Sequence, residues 1–414
     1  MSQPVTLKRL DISKIRDEFP ILDQEVNGYP LAYFDNAATS QKPKRVIKAL
    51  SQYYSEYNAN IHRGIHTLAE KATKAYELTR KTVQEFINAK EVEEIIFTKG
   101  TTDGINLVAS SFGRKFINAG DEIVISGLEH HSNIVPWQLI AEEKGATIKV
   151  IPVLEDGSLD LETYESLLSS RTRIVALNHA SNSLGTINPI NKIISKAHAV
   201  GAKVLIDGAQ ASAHLEIDVQ ELDCDFYAIS AHKVYGPTGT GAIYGKRELL
   251  ELMTPYQGGG EMIKEVSFEK TTYNDIPYKF EAGTPNIGDV IAFKEALDFV
   301  TETGKSQMAD YESQLLKYAS DQVQKKIEGV KIYGTARDKV SVLSFLIEGI
   351  HPFDIGQMLD ARGVAVRTGH HCTQPLMEHF HIEGTVRASF AVYNTKEEID
   401  RMVEGLERIT RFMK

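Results

Sequence analysis

Cysteine, tryptophan and long apolar runs are scarce in this chain of 414 residues, which has two cysteines and one tryptophan. Cys224 and Cys372 alone form no disulfide framework, so we expect a reducing compartment, the cytoplasm. No segment approaches the roughly 18 uncharged apolar residues that a membrane span needs. The first twenty residues are too charged for a secretory signal. These absences argue against a secreted or membrane-embedded protein.

The charge and the apolar content are those of a globular protein. The hydrophobic fraction is 42% and the charged fraction is 25%, both ordinary for a soluble fold. The net charge of −10 offers no basic surface to nucleic acid or to an anionic membrane, so neither partner is expected. A chain of this length exceeds one hydrophobic core of usual size, which predicts two packed units.

Short β-branched runs alternate with amphipathic stretches from about Leu31 to about Ala292. This alternation predicts an α/β fold with a mostly parallel sheet that helices cover on both faces. Between the runs lie helical stretches such as Ala72–Ala89, whose apolar residues recur every three or four positions. The predicted strands are Ile95–Thr98, Glu122–Ser126, Arg173–Leu177, Lys203–Ile206, Phe226–Ser230 and Gly241–Tyr244.

The pattern changes at about Lys294. A long amphipathic helix leads into a predicted strand, Val342–Ile347, and a capping box of Thr395 and Glu398 opens the last helix. We therefore predict three parts, which are an N-terminal segment (residues 1–30) packed on the small domain, a large domain (residues 31–293) and a smaller α+β domain (residues 294–414).

Polar side chains follow the apolar runs where the predicted strands end, and this edge of an open parallel sheet is where ligands bind. A buried Asp207 is costly unless it meets a cation or several hydrogen-bond donors, and a protonated pyridine nitrogen is one such cation. Burial of Lys233 lowers the pKa of its amine and favours Schiff-base chemistry. Taken singly, Asp207 could equally cap the next helix, and Lys233 could be an exposed turn residue.

Other strand ends carry further candidates. Thr101 and Thr102 follow a glycine at a helix start, which fits an anion site or a plain N-cap. His130 could lie over a bound ring or shuttle protons, and Asn182 could contact a phenolic oxygen or form a turn. Adjacent residues such as His130 and His131 do not face each other on a helix, and no metal-binding spacing occurs, so no metal is predicted.

A thiol near the end of the chain is the last candidate. Cys372 follows two histidines in a loop, and imidazoles or an arginine beside a thiol favour the reactive thiolate. Cys224 lies in a strand-like run and is interpreted as a core residue. Arg387 can bind a carboxylate through two hydrogen bonds, or form an ordinary surface ion pair.

Together these stretches resemble the cysteine desulfurase and selenocysteine lyase family of the SufS type, within the class V aminotransferases. That family has the aspartate-aminotransferase-like fold (fold type I) and uses pyridoxal 5′-phosphate. The resemblance covers nearly the whole chain. It rests on FDNAATSQKP from Phe34, NANIHRGIH from Asn58, FTKGTTDGINLVA from Phe97, EHHSNIVPWQ from Glu129, LIDGAQA from Leu205, SAHKVYGPTGTG from Ser230, FEAGTPN from Phe280, RTGHHCTQPLM from Arg367 and RASFAVYNT from Arg387.

The resemblance implies a role for each matching residue. Lys233 would hold the cofactor covalently, Asp207 would pair with its ring nitrogen, and Cys372 would receive the sulfur as a persulfide. The other implied contacts are His130 stacked on the ring, Gln210 and Asn182 near the phenolic oxygen, Thr101, Thr102, Ser230 and His232 at the phosphate, Thr284 from the partner subunit of a homodimer, and Arg387 at the substrate carboxylate.

The resemblance also implies an activity, the conversion of L-cysteine to L-alanine, with L-selenocysteine as a second candidate substrate. The sulfur would pass to a SufE- or SufU-type acceptor for iron–sulfur cluster assembly. The alternatives are an aminotransferase or a kynureninase-like lyase of the same fold, neither of which needs a reactive thiol, and a non-catalytic assembly scaffold.

Three positions depart from the family pattern. Ala231 stands where glycine is common, Asp103 where glutamate is common, and Ser183 where an apolar residue is common. None of the three removes a reacting group. Ala231 bears on how closely the backbone approaches the cofactor.

Overall fold

The computed structural model describes residues 10–413. The strands are β1 (Glu25–Val26), β2 (Tyr29–Pro30), β3 (Ala32–Tyr33), β4 (Ile95–Thr98), β5 (Glu122–Ser126), β6 (Thr147–Ile151), β7 (Thr172–Asn178), β8 (Lys203–Asp207), β9 (Phe226–Ser230), β10 (Gly241–Gly245), β11 (Ile263–Val266), β12 (Thr271–Tyr273), β13 (Val330–Tyr333), β14 (Val342–Ile347), β15 (Val364–Ala365), β16 (Arg367–Gly369) and β17 (Thr385–Ser389).

The α-helices are α1 (Ile12–Arg16), α2 (Lys44–Glu56), α3 (Thr67–Phe86), α4 (Thr101–Val108), α5 (Arg114–Phe116), α6 (Val135–Lys144), α7 (Leu161–Leu167), α8 (Ile190–Ala199), α9 (Ala211–His214), α10 (Val219–Leu222), α11 (Arg247–Leu252), α12 (Ile287–Thr303), α13 (Lys305–Lys326), α14 (Pro352–Asp360), α15 (Gln374–His379) and α16 (Lys396–Met413). Within residues 10–413, none of these helices has both the length and the apolar composition needed to cross a membrane.

The large sheet runs in the order β4-β10-β9-β8-β7-β5-β6. Neighbouring strands from β9 to β6 pair in parallel, whereas β10 pairs antiparallel with β9 and β4. The predicted α/β fold with a mostly parallel sheet is confirmed. Every strand predicted in this sheet lies within one residue of its observed bounds.

Both faces of the large sheet are buried, which explains its nearly continuous apolar strands. Along β4, Ile95 and Phe97 belong to one hydrophobic cluster, while Ile96 belongs to the cluster on the opposite face. The helix predicted over Ala72–Ala89 is shifted, because α3 already begins at Thr67. The His66 side chain accepts from the Ala69 N–H and so caps that earlier start.

The smaller sheet has the order β13-β14-β17-β16 and is antiparallel throughout. Strand β14 has the predicted bounds, and the predicted capping box is present. Glu398 N donates to Thr395 Oγ1 at 3.3 Å, and Thr395 N donates to Glu398 Oε2 at 3.1 Å. The single long helix expected near Lys294 is instead two helices, α12 and α13, which separate at Gly304 with a φ of +96°.

The predicted division into three parts stays a prediction. Helix α12 runs across the predicted boundary between residues 293 and 294, and Ala32 in β3, from the predicted large domain, pairs with Val364 in β15, from the predicted small domain. Residues 1–9 of the predicted N-terminal segment lie outside the described residues. Phe19, from the rest of that segment, packs against Tyr393 at 4.6 Å and Phe299 at 5.5 Å between ring centroids.

Candidate active site

One cavity of about 270 Å³ collects the candidate residues. One part of its wall comes from the carboxyl ends of β4, β5, β7, β8 and β9, where ligands bind in parallel sheets. The other part comes from the small sheet and the loop after β16. The predicted site residues that line this cavity are Thr101, Thr102, His130, Asn182, Asp207, Gln210, Ser230, His232, Lys233, Cys372 and Arg387.

Lys233 lies in a 3₁₀ turn directly after β9, and its side chain lines the cavity. Burial lowers the pKa of the Lys233 amine to about 8. The negative charge of Asp207 partly opposes this shift, and the positive charge of Arg387 adds to it. A sizeable fraction of the amine is therefore neutral near physiological pH, as a nucleophilic lysine requires.

Asp207 is the last residue of β8 and is 5% exposed. Its Oδ1 accepts from Ala209 N at 2.9 Å. Burial raises the pKa of this carboxyl group, and the positive charge of Lys233 opposes the shift. A cationic ring nitrogen in the cavity would supply the compensating charge that a buried carboxylate requires.

The start of α4 and the end of β9 form a cluster of hydroxyl groups. Ser230 Oγ accepts from Thr101 N and donates to Thr101 Oγ1, both at 2.9 Å. Gly100, before the helix, has a φ of +132°, a conformation that favours glycine. The first N–H groups of a helix lack intrahelical acceptors. These groups and hydroxyls suit a phosphate.

Two histidines on the cavity wall are neutral near physiological pH. Burial lowers the pKa of His130 to about 3, with a further contribution from the Lys233 charge. Burial likewise lowers the pKa of His232 to about 4. His130 Nδ1 accepts from Ser132 N at 3.1 Å, which assigns its proton to Nε2. A neutral imidazole is suited to stacking on an aromatic ring.

Glu129 directly precedes His130 in the chain, and the sequence pattern assigned it no role. Its carboxyl group accepts from the Ser126 hydroxyl and from Asn178 N at 3.0 Å. It also accepts from the side-chain amides of Asn178, at 3.1 Å, and Asn133, at 2.7 Å. Burial raises the pKa of Glu129 to about 8, because these donors only partly offset the lost solvation. The network joins the ends of β5 and β7 below the cavity.

The amide side chains of Gln210 and Asn182 line the cavity but also contact the chain. Gln210 Nε2 donates to Ala37 O at 2.7 Å. Asn182 Nδ2 donates to His371 O at 2.7 Å. Each amide nitrogen has two protons, so one donor on each side chain is left for a ligand.

An arginine pair in the small sheet shares one carboxylate. Arg387 is 2% exposed and donates from Nη2 to Asp35 Oδ1 at 3.0 Å. Arg367 donates from Nε to both oxygens of Asp35, at 3.0 and 3.1 Å. Arg387 Nε has no partner among residues 10–413. The sequence singled out Arg387 but missed Asp35, whose only signal was its place in FDNAATSQKP.

Cys372 is exposed, lines the cavity and has a φ of +56°. Its carbonyl accepts from His131 N at 2.8 Å, and its N–H donates to His370 Nδ1 at 3.2 Å. Cys224 is buried, as predicted for a core residue, and burial raises the pKa of its thiol. The two cysteines thus have opposite environments.

Thr284 does not line this cavity in its own chain. It lines a second cavity, of about 160 Å³, together with Tyr256 and Asn286. Its predicted contact, from a partner subunit to the phosphate, stays a prediction. Among residues 10–413, no group of three or more His, Cys, Asp or Glu side chains is placed to hold a metal ion.

Two bacterial proteins are similar to the chain over nearly its full length. A cysteine desulfurase from Pectobacterium carotovorum is 50% identical over 403 residues, which cover 97% of this chain and 98% of that protein. A probable cysteine desulfurase from Halalkalibacterium halodurans is also 50% identical over 403 residues, 97% of this chain and 99% of that protein.

Solved structures are similar in fold over the same span. The crystal structure of the cysteine desulfurase CsdA (S-sulfonic acid) from Escherichia coli gives a TM-score of 0.92 at 38% identity, covering 98% of this chain and 100% of that one. A cysteine desulfurase from Thermococcus onnurineus gives 0.92 at 38% identity, covering 100% of both chains. The aminotransferase class-V profile matches residues 32–402. The chain therefore belongs to the aminotransferase class-V family.

Proposed function

We propose that the protein is a pyridoxal-phosphate-dependent cysteine desulfurase, which converts L-cysteine to L-alanine and leaves a persulfide on Cys372. The observation that carries this proposal is that Lys233 and Cys372 line one cavity, although one follows β9 and the other follows β16. The relatives named above, cysteine desulfurases by name, support it at 50% identity over nearly the full length.

The cavity residues fit pyridoxal phosphate. Lys233 would bond to its aldehyde carbon, Asp207 would pair with its ring nitrogen, and the Thr101–Ser230 cluster would hold its phosphate. The implied contacts of Thr102, His130, Asn182, Gln210 and His232 are compatible with their places on the wall. When bound, this cofactor withdraws electrons from the α-carbon of an amino acid.

The arginine pair is suited to the substrate carboxylate. Arg387 is buried and lines the cavity, and its Nε has no partner in the part of the chain that the structure describes. Arg367 lines the cavity beside it. A guanidinium holds a carboxylate in a fixed orientation through two hydrogen bonds, which would point the substrate sulfur in one direction. Lys233, as a neutral amine, would take the α-proton.

Sulfur transfer requires no external oxidant. The Cys372 thiolate attacks the substrate sulfur, so an S–S bond forms as the C–S bond breaks. The electron pair of the broken bond stays with carbon, which takes up a proton and becomes the methyl group of alanine. The two sulfur atoms are oxidised while that carbon is reduced. One difficult cleavage is thereby divided into easier steps.

An acceptor protein would take the sulfur from Cys372. Cys372 is exposed, so a persulfide there is open to a SufE- or SufU-type acceptor that supplies iron–sulfur cluster assembly. L-selenocysteine fits the same cavity chemistry. A homodimer would bring Thr284 to the phosphate of the neighbouring site. Two unpaired cysteines agree with a reducing cytoplasm.

Product analysis of matched variants tests the proposal. Lys233→Ala should lose the visible absorbance of the cofactor and all alanine formation from L-cysteine. Cys372→Ala should keep the absorbance and lose sulfur transfer. Cys224→Ala, the matched control, should retain both. Release of sulfide by Cys372→Ala at the wild-type rate would rule out the persulfide role, and an oxo acid in place of alanine would favour an aminotransferase.

A further inference from the structure

The cysteine loop, residues 369–374, adopts a backbone conformation that it does not favour by itself. His371 and Cys372 have φ values of +52° and +56°. This left-handed region is unfavourable for residues with a Cβ. Such conformations persist where surrounding contacts determine them. The conformation of this loop therefore depends on the contacts that reach it from residues outside the loop.

We propose that His131 and Ser183 are positioning residues that hold the cysteine loop so that the Cys372 thiol faces the cavity. Their role in the reaction rests on the proposed desulfurase function, whereas their effect on the loop does not. Neither residue was assigned a role from the sequence pattern.

His131 holds the loop on both sides of Cys372. Its backbone N–H donates to Cys372 O at 2.8 Å. Its ring Nε2 accepts from Gln374 N at 3.1 Å. The ring also lies 5.7 Å from the His370 ring, between centroids. One residue thus contacts the loop before, at and after the thiol.

Ser183 holds the loop through a buried hydroxyl pair. Ser183 Oγ lies 2.6 Å from Thr373 Oγ1, and both residues are fully buried. Thr373 Oγ1 donates its single proton to His370 O at 2.9 Å. Ser183 is therefore the donor in this pair. An alanine at this position would leave the Thr373 oxygen without that donor.

The two contacts explain how an exposed thiol keeps a fixed direction. A nucleophile must approach the substrate sulfur along a defined line, and misplacement slows the reaction. The two residues directly after Cys372 are both held, since Thr373 bonds to Ser183 and Gln374 bonds to His131. Loss of either contact would let the thiol sample other directions.

Amide hydrogen exchange of the loop, measured by mass spectrometry on the full chain, tests this proposal directly. Ser183→Ala and His131→Ala should each raise exchange in residues 370–374 by about three- to tenfold, which corresponds to one lost hydrogen bond. Ser111→Ala is the matched control, because Ser111 is also buried but its hydroxyl has no partner in residues 10–413. Unchanged exchange in both variants would overturn the proposal.

Kinetics with L-cysteine then separate the effect of the two residues on the loop from their role in the reaction. Both variants should lower kcat while KM and cofactor content stay near wild type. His131→Gln, whose side-chain oxygen can accept from Gln374 N, should recover part of both losses. Faster exchange without a lower kcat would refute the role in the reaction. A wild-type protein inactive on L-cysteine would refute the desulfurase function, and the exchange data would still decide the effect on the loop.

Discussion

Burial decides the protonation state of the amine at the centre of the cavity, Lys233. In cofactor-free protein, trace acetylation of Lys233 should be half-maximal at a pH of about 8. Asp207→Asn should move that midpoint to lower pH, because Asp207 opposes the lowering of the Lys233 pKa. Peptide mass spectrometry across a pH series measures both.

Lys246 serves as an internal control in the same samples. It pairs with Asp223, whose hydrogen bond and charge raise its pKa despite partial burial. Lys246 should therefore react only at higher pH than Lys233. A common midpoint for the two lysines would contradict the assigned environment of Lys233.

Glu129 should make stability depend on pH in an unusual direction. Between its ordinary value of 4.5 and about 8, the folded chain keeps a proton that the unfolded chain releases. Raising the pH through this window therefore lowers the free energy of unfolding, by at most about 5 kcal/mol. Urea unfolding of wild type and Glu129→Gln at both ends of the window measures this, and the variant should show a smaller difference.

Glu142→Gln is the control for that experiment, since Glu142 is exposed on α6. It should keep the wild-type pH dependence. If Glu129→Gln behaved in the same way as this control, the carboxyl group of Glu129 would titrate in the folded chain as it does in water.

Site residues that directly follow strands could be predicted from the sequence, because the end of a strand is recognisable from the residues next to it in the chain. The sequence missed Glu129, Asp35 and the contacts of Ser183. Asp35 meets Arg387, and Ser183 meets Thr373, through pairings between distant segments. No periodicity within either segment encodes such pairings, so their partners become visible only in the fold.

At the scale of elements, two glycines set the spacing of β16 and β17. A Cβ added to Gly384 would lie 2.5 Å from the carbonyl carbon of Gly369, which ends β16. Gly384→Ala should therefore push β16 and the following cysteine loop outward and destabilise the fold by about 1 to 3 kcal/mol. Thermal unfolding and hydrogen exchange at residues 367–369 measure the effect.

Gly258→Ala provides the comparison, because a Cβ at Gly258 would meet nothing within 4 Å. It should unfold as the wild type does. Equal stability of the two variants would mean that the strands accommodate the extra atom without displacement.

Strands were predicted more accurately than helices for a physical reason. A strand buried on both faces is an apolar run between polar turns, so the change from apolar to polar residues marks where it begins and ends. The start of α3 depends on the His66 cap, and the break between α12 and α13 depends on the conformation of Gly304. The π-helical segment Ala109–Gly113, which follows α4, has no signature in the apolar pattern.

At the scale of the whole molecule, the proposed homodimer can be tested by mixing subunits. Lys233→Ala and Thr284→Tyr homodimers should each be inactive on L-cysteine. If Thr284 serves the neighbouring site, refolding an equal mixture should restore about a quarter of the sites, because each heterodimer then has one intact site. Alanine formation measures the recovery.

Sedimentation of each variant confirms that the subunits associate before activity is compared. An unmixed sample of either variant, refolded in the same way, is the control. Association without any recovery of activity would place Thr284 outside the neighbouring site.

The single carboxylate of Asp35 neutralises only part of the positive charge of the arginine pair, Arg367 and Arg387. Both guanidinium groups pair with Asp35, which lies two residues after the end of β3. Two positive charges and one negative charge give this group of three side chains a net charge of one positive elementary charge. The single α-carboxylate of a monocarboxylic amino acid would balance that charge, whereas a second carboxylate on the ligand would create a surplus of negative charge in a poorly hydrated place. We therefore expect dicarboxylic amino acids to bind less well beside this arginine pair than amino acids with one carboxylate.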